Sequence, residues 1–332
     1  MPPRRVTSYD VADLAGTSQS AVSRAFSVDG SVSPGTRERI LVAAERLGYR
    51  PNAIARSLGR GRSGLLGVVV NQHPEQGHAN ALSGVTEMLR GSGGGVLLQV
   101  VDADALADDS VTALLDYRVE AIVCSSVVSA SAAERCADAG VALCLVNRCV
   151  DSARVDEVLS DNAGSSAAIA RGLASAGRSR TAFLYGPPTG FVGRLRFEGF
   201  AAGCAEAGLG PPAKVHCDFT YRGGHDATLA LLAERPDVDA VAAATDGMAL
   251  GAMDALRHGL GRRVPDDVMV VGHDDEAVSG QLAYRLTTVR QPMGAMLERA
   301  VELARERAEA PGLPGRRLVM DSAIVLRDSA RW

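Results

Sequence analysis

The chain has 332 residues, too many for one small core, and this length points to two or three domains. With 46% hydrophobic and 22% charged residues the composition is globular, and no apolar run approaches the roughly 18–20 residues that span a bilayer. The net charge of −4 is uneven: residues 1–62 carry ten Arg and five acids, so a head of +5 leaves −9 for the remainder, as expected of a polyanion-binding module on an acidic body. Charge alone does not separate this from an Arg-rich composition, in which Lys214 is the only Lys. The start, Met1-Pro2-Pro3-Arg4-Arg5, leads into Thr7-Ser8-Tyr9-Asp10 and not into an apolar stretch, so no secretory signal and a cytoplasmic location are expected. The six Cys (124, 136, 144, 149, 204 and 217) form no C-x-x-C pair and read as buried free thiols.

Thr7 is placed to cap a first helix, with Asp10 three residues on completing a capping box. Val11, Leu14 and Ala15 then fall on one helical face, and Gly16 suits the left-handed stop. Ser18 caps a second helix, Gln19 to about Phe26. Val22, Ala25 and Phe26 are expected inside, and Gln19, Ser20, Ser23 and Arg24 outside. Two helices on so short a turn suggest a helix-turn-helix, whose second helix can enter the major groove. Arg24 has the fork for a guanine edge, and Gln19 can do the same for adenine. An ordinary amphipathic pair is the alternative. Ser33-Pro34 opens a third helix with Ile40, Leu41, Ala44 and Leu47 as its apolar face, closed by Gly48. Residues 51–58 are helix-compatible but only about two turns long, marginal alone in water. Ala53 and Ala55 permit close approach to DNA, and Leu58 is a candidate minor-groove wedge in a polar linker.

These residues carry a resemblance. Asp10-Val11-Ala12, Ala15-Gly16, Val22-Ser23-Arg24, Val32-Ser33-Pro34, Thr36-Arg37, Leu47-Gly48-Tyr49-Arg50-Pro51-Asn52 and Ala55-Arg56-Ser57-Leu58 are similar to the headpiece of the lactose-repressor (LacI) family of bacterial transcription regulators. Thr17, where the family usually has Val, and Gly35 depart from it. The resemblance implies DNA contact by Thr7, Ser18, Gln19, Ser20, Ser23, Arg24, Asn52, Ala55, Arg56 and Leu58. Of these, Gln19, Ser20 and Arg24 would read bases, and Ala55 and Leu58 would lie in the minor groove at the centre of a palindrome.

From Leu65 onward short apolar runs alternate with amphipathic stretches. Leu65–Val70, Val96–Val101, Ala121–Cys124, Val141–Val146, Thr181–Tyr185, the surroundings of Val215, Val238–Ala243 and Val268–Val271 read as buried strands. Ala81–Arg90 and Ala132–Ala139 are among the helices between them. The resemblance covers this part too. The fold expected is an α-helical helix-turn-helix headpiece (1–50), a hinge helix and linker (51–63), and an α/β periplasmic-binding-protein-like body (64–332). The body would consist of two doubly wound parallel-sheet subdomains, about 64–162 with 292–322 and about 163–291 with 323–332.

In such folds a ligand sits at the carboxyl ends of the strands. The motifs Val158–Asn162 with Gly164, Asp246–Ala252, Val271–Asp275 and Leu286–Pro292 match the family. Arg196 lies in a family ligand-binding segment, and its five donors suit vicinal hydroxyls or a carboxylate; a surface pair with Glu198 is the alternative. Asp274 follows a strand and can accept from hydroxyls. Phe219 is either a platform for a sugar face or a core residue. Asn71, Asn147 and Arg148 follow strands, and Asp246 is either a pocket residue or an organiser of the next helix N-terminus. His73 and His78 bracket Glu75 without a metal-ligand spacing, and Gly91 with Gly93-Gly94-Gly95 precedes a strand and so reads as a helix stop. No catalytic group, metal or cofactor is expected.

The expected function is a ligand-responsive, sequence-specific regulator, most simply a repressor of carbohydrate or related genes. It would bind a palindromic DNA operator as a homodimer, with a sugar or sugar derivative as effector and no membrane partner. No Leu heptads follow the body, so a dimer without a tetramerising tail is expected. The alternative is a DNA-binding or architectural protein without effector response.

Overall fold

The computed structural model describes residues 6–26, 31–50, 63–72, 95–102, 105–187 and 190–332, with only the backbone at 71 and 72. The chain divides into two compact units, Met1–Leu65 and Leu66–Trp332.

The first unit holds α1 (Ser8–Ala15), α2 (Gln19–Ala25) and α3 (Pro34–Leu47). Its termini are fixed by their own side chains. Thr7 Oγ1 accepts from Asp10 N at 3.4 Å while Thr7 N donates to Asp10 Oδ2 at 2.7 Å, a reciprocal capping box. Ser18 accepts from Ala21 N and Ser33 from Thr36 N, and Gly16 and Gly48 stop α1 and α3 with φ of 58° and 63°. Two arginines of α3 reach the carbonyls left open at the ends of the other helices: Arg37 Nη1 donates to Ala25 O, and Arg39 Nε donates to Ala15 O.

The core comprises Val11, Ala12, Ala15, Ala21, Val22, Ala25, Ile40, Ala43 and Ala44, edged by Phe26, Val32, Leu47 and Tyr49. Leu14 and Leu41, expected inside, are 46% and 45% exposed. In α3 the buried stripe runs Ile40, Ala43, Ala44 and Leu47, and Leu41 stands about 100° away from Ile40 around the helix. In α1 the centre of the stripe falls on Val11, Ala12 and Ala15, leaving Leu14 at its margin.

The second unit is built on two parallel sheets. Strands β1 (Leu65–Gln72), β2 (Gly95–Asp102), β3 (Ala121–Cys124), β4 (Ala142–Val146) and β5 (Asp156–Ser160) join β11 (Arg317–Met320) in the order β11-β5-β4-β3-β1-β2. Strands β6 (Thr181–Tyr185), β7 (Ala213–His216), β8 (Ala240–Ala243) and β9 (Met269–Val271) form the second, in the order β7-β6-β8-β9. Both orders reverse direction beside their first strand, between β1 and β3 and between β6 and β8, which makes each sheet doubly wound with a switch point there. Strands β3, β4, β6 and β8 are buried throughout, as strands covered on both faces must be.

The crossover helices are α4 (Asp108–Asp116), α5 (Ala130–Asp138), α6 (Asn162–Ser175), α7 (Phe191–Glu206), α8 (Tyr221–Glu234), α9 (Asp246–Asp254) and α10 (Met293–Glu309). The chain passes to the second sheet after β5. It returns after β10 (Thr288–Arg290), and α10 packs Met296, Leu297, Ala300, Val301 and Ala304 against β3, β4 and β5. It passes back once more to β12 (Ala323–Val325), which pairs antiparallel with β10. The short strands β5, β10, β11 and β12 went unread in the sequence; β5 carries two buried acids, Asp156 and Glu157, that break the apolar pattern. Three arginines compensate them. Asp156 accepts from Arg307 and Arg316, and Glu157 from Arg317. The expected helix Ala81–Arg90 lies outside the described residues.

Glycines permit the closest helix contacts. A Cβ on Gly199 or Gly203 of α7 would lie 2.2 and 2.5 Å from the carbonyl oxygens of Ala163 and Ala167 in α6. One on Gly224 of α8 would lie 2.2 Å from Met248 O in α9.

Candidate effector cleft and nucleic-acid face

On the headpiece, α2 turns Ser20, Ser23 and Arg24 to the exterior while Ala21, Val22 and Ala25 hold it to the core. Gln19 is half-buried and its Nε2 donates to Ser8 Oγ at 3.3 Å, which ties the start of the second helix to the start of the first. Ser18 and Thr7 are exposed and spend hydroxyl groups on helix caps, and Ser18 Oγ also lies 3.0 Å from Ser20 Oγ. Arg24 is exposed and makes no ion pair among the described residues. Asn52, Ala55, Arg56 and Leu58 lie outside the described residues.

In the body, the carboxyl ends of both sheets meet in one chain of polar side chains. Asn147 follows β4 in the left-handed region, with φ of 52°, which Asn tolerates better than most residues. Its Oδ1 accepts from Ser160 N at 2.9 Å, and its Nδ2 donates to Gln291 Oε1 at 2.6 Å. Ser160 Oγ lies 3.1 Å from Asn147 Oδ1 and 2.9 Å from Gln291 Oε1, and its single proton serves either. Gln291 Nε2 donates to Asp274 Oδ1 at 2.5 Å. The same oxygen faces Arg196 Nη2 at 3.1 Å. Arg196 is only 3% exposed; its Nε donates to Asn162 Oδ1 at 2.8 Å and its Nη1 to Ala244 O at 2.5 Å. Ala244 follows β8, beside the switch point of the second sheet. Thus Ser160, Asn147, Gln291, Asp274 and Arg196 connect the strand ends of one sheet to those of the other.

The backbone around Asp274 is strained. Asp274 has φ of 118° and Asp275 of 56°, conformations that cost about 1–3 kcal/mol each for residues with a side chain. They persist because the loop is tied from several sides: Asp275 accepts from Arg290 Nε at 2.6 Å and from Arg327 Nη2 at 2.5 Å. Asp246, the first residue of α9, is fully buried. Its Oδ2 accepts from Glu276 N and Ser279 Oγ, and its Oδ1 from Thr288 Oγ1. The structure therefore gives both its oxygens to protein donors that hold the Asp274 loop and β10. Thr245 supplies the side-chain cap of α9.

Electrostatics follow from withdrawal from water. Burial raises the Asp246 carboxyl to about 6, Asp274 adds to the rise, and the three donors oppose it. Burial, reinforced by Arg196, pushes His273 well below its ordinary range, so its ring is neutral near pH 7. Burial also lowers Arg196, against the pull of Asp274. Arg148 follows Asn147 and donates through Nη1 to Asn147 O at 2.8 Å. Burial lowers its pKa as well, and Arg196 adds to the fall.

Phe219 follows β7 and is half-buried, its ring laid on Gly186 after β6 and Gly190 before α7: a Cβ on Gly186 would lie 2.1 Å from it and one on Gly190 3.1 Å. Asn71 belongs to β1, with only its backbone described. The structure thus joins Arg196 to Asp274 directly and Asn147 to Asp274 through Gln291, and sets Arg148 beside Asn147. It adds Ser160, Asn162 and Gln291, which lay within matched sequence motifs but whose pairing across 131 and 144 residues has no local signal. Among the described residues no three His, Cys, Asp or Glu side chains are placed to hold a metal ion, and no helix is long and apolar enough to cross a membrane.

Comparison with known proteins agrees with this layout. Residues 7–52 match the model for bacterial regulatory proteins of the lacI family, and residues 170–330 match that for a periplasmic binding protein-like domain. The chain is 32% identical over 336 residues to the HTH-type transcriptional regulator CelR of Thermobifida fusca, covering 98% of each. It is 28% identical to the ribose operon repressor of Escherichia coli (strain K12), covering 98% of this chain and 99% of that one. Among solved structures it is similar to a CelR–cellobiose complex (30% identity, TM-score 0.73, covering 98% of this chain and 100% of that one). It is also similar to the lac repressor dimer bound to operator and the anti-inducer ONPF (26% identity, TM-score 0.87, covering 98% and 99%).

Proposed function

We propose that this chain, which belongs to the lacI family of bacterial regulatory proteins, takes a small polyhydroxylated effector in the cleft lined by Asn147, Arg148, Arg196, Phe219 and Asp274. As a member of that family it is a DNA-binding transcriptional regulator and acts as a repressor on a palindromic operator, bound as a dimer. The observation that carries the effector reading is the polar chain from Ser160 through Gln291 to Arg196, which spans the strand ends of both sheets. A ligand with several hydroxyls matches such a set, because it can donate to Asp274 and Asn147 Oδ1 and accept from Arg196 and Arg148. Groups on both sheets contact one ligand, so ligand affinity differs between arrangements of the two halves, and that difference is what shifts a conformational equilibrium. Asp246 serves as a positioning residue that holds the Asp274 loop.

On the DNA side, Arg24, Ser20 and Gln19 read base edges, while Thr7, Ser18 and Ser23 fix the headpiece on the backbone. The assignments of Asn52, Ala55, Arg56 and Leu58 to the operator, with Ala55 and Leu58 in the minor groove, rest on the sequence match. Fluorescence anisotropy of the full chain on a palindromic site from its own upstream region tests the reading. Saturable binding, weakened in steps by added salt and by one sugar of a neutral and acidic panel, is expected. Operator affinity untouched by every sugar would leave a DNA-binding protein without effector control.

A further inference from the structure

We propose that the effector carries an anionic group, a carboxylate or phosphate on a sugar-sized body, and that Arg148 supplies its counter-charge. This rests on the reading of the cleft as the effector site.

Arg148 is half-buried, and it differs from the buried arginines in its partners. Arg307 is paired with Asp156 at 2.7 Å and Arg196 with Asp274 at 3.1 Å. Among the described residues Arg148 donates to one neutral carbonyl, that of Asn147, and pairs with no carboxylate. Among the described residues, four acids of the surrounding elements are already engaged. Asp274 serves Arg196 and Gln291, and Asp246 serves Ser279, Thr288 and Glu276 N. Glu157 serves Arg317 and Val150 N, and Glu198 lies at the surface with Arg194. Among the described residues the ionisable groups that act on Arg148 are the Cys124 thiol, which burial keeps protonated by raising its pKa to about 12, and a second cation, Arg196.

A guanidinium in this position is incomplete without its ligand. Among the described residues it uses one of its five N–H donors, and no carboxylate neutralises it. A neutral sugar hydroxyl can accept from it but leaves the charge unmatched. A carboxylate or phosphate accepts two parallel bonds from the fork and removes the charge in the same step. The location is appropriate, since Arg148 is one residue from Asn147, whose side chain is the first link of the polar chain across the cleft. The sugar hydroxyls would then meet Asn147, Asp274 and Arg196 while the acidic substituent faces Arg148.

The test uses calorimetry and thermal shift on the full chain and its Arg148→Gln variant, at matched ionic strength. The probes are glucose, glucuronate and glucose 6-phosphate, the corresponding galactose set, ribose and ribose 5-phosphate, with acetate and inorganic phosphate alone. The expected result is an acidic sugar that binds about tenfold or more tighter than its neutral counterpart, with that gap closed in Arg148→Gln. The uronate and phosphate arms say which acid it is. The unliganded variant is expected to melt at or above the wild-type temperature, because an unmatched cation has been removed; a structural brace would melt lower. A neutral sugar bound as tightly as its acids, or an acid preference that survives Arg148→Gln, overturns the inference and leaves the effector cleft standing. Acetate or inorganic phosphate bound as tightly as any sugar acid reveals an adventitious anion only, and also overturns it. If no probe binds, the sugar-effector reading fails and takes this inference with it.

Discussion

The motif around Arg196 was legible in the sequence, but its partners were not, because Asn162, Ala244 and Asp274 come from three different strand ends. The alternative pair with Glu198 falls to Arg194, at 3.5 Å on the surface. An ammonium cannot reproduce the fork of Arg196, so Arg196→Lys should lower stability by about 1–3 kcal/mol through unsatisfied buried acceptors, read from urea unfolding. An unchanged midpoint would mean that the guanidinium contacts are dispensable. On the DNA face, Arg24→Ala should relax sequence preference by roughly 1–3 kcal/mol at one base pair per half-site. Competition between single-base operator variants measures it, and an undiminished preference would take Arg24 out of base reading. Asp246 shows where sequence ran out: its motif was readable, yet only the fold shows that Ser279 and Thr288, 33 and 42 residues away, occupy its oxygens.

Among elements, the headpiece was the most legible, since its caps act over three residues and its helices meet within fifty. Thr7, Ser18, Ser33, Gly16 and Gly48 all do what local chemistry implies. Leu14 and Leu41 are apolar but stand off the buried phase of their helices, which apolar identity alone does not reveal. Thr7→Ala should cost the headpiece about 1 kcal/mol, seen as lower helix content on heating. In the body, long apolar strands were readable, while β5, β10, β11 and β12 were not: they are short, and β5 buries Asp156, whose partner Arg307 is 151 residues away. The seam between α6 and α7 was hidden as well, since nothing local marks Gly199 and Gly203 as contact points. Gly203→Ala should cost about 1–3 kcal/mol, because the added methyl meets backbone and cannot be accommodated by a rotamer change. A stability equal to wild type would show that the two helices can separate freely.

At the level of the whole molecule, two buried carboxylates give opposite pH signatures. Asp246, raised by burial to about 6, favours the folded state when protonated. Its contribution is full below the ordinary carboxylate range and is lost as pH rises through about 6. Asp156 is raised by burial but lowered overall by Arg307 and Arg316, so its contribution is present above its ordinary value and lost as the solution is acidified below it. Melting temperature should therefore fall between about pH 4 and 6, and Asp246→Asn should flatten that limb even though it loses hydrogen bonds; a limb unchanged in the variant would assign it to another group. The architecture was foreseeable because alternating strands and helices permit few arrangements, whereas the contact of the two sheets through Gln291 is a property of the complete chain. The central claim is that cleft and operator are coupled through one protein. Linkage makes that coupling reciprocal, so the most direct measurement is calorimetry of the effector with and without saturating operator, beside anisotropy of the operator with and without saturating effector. The account predicts the same factor from both, about 5–150-fold; an effector affinity indifferent to operator would contradict it.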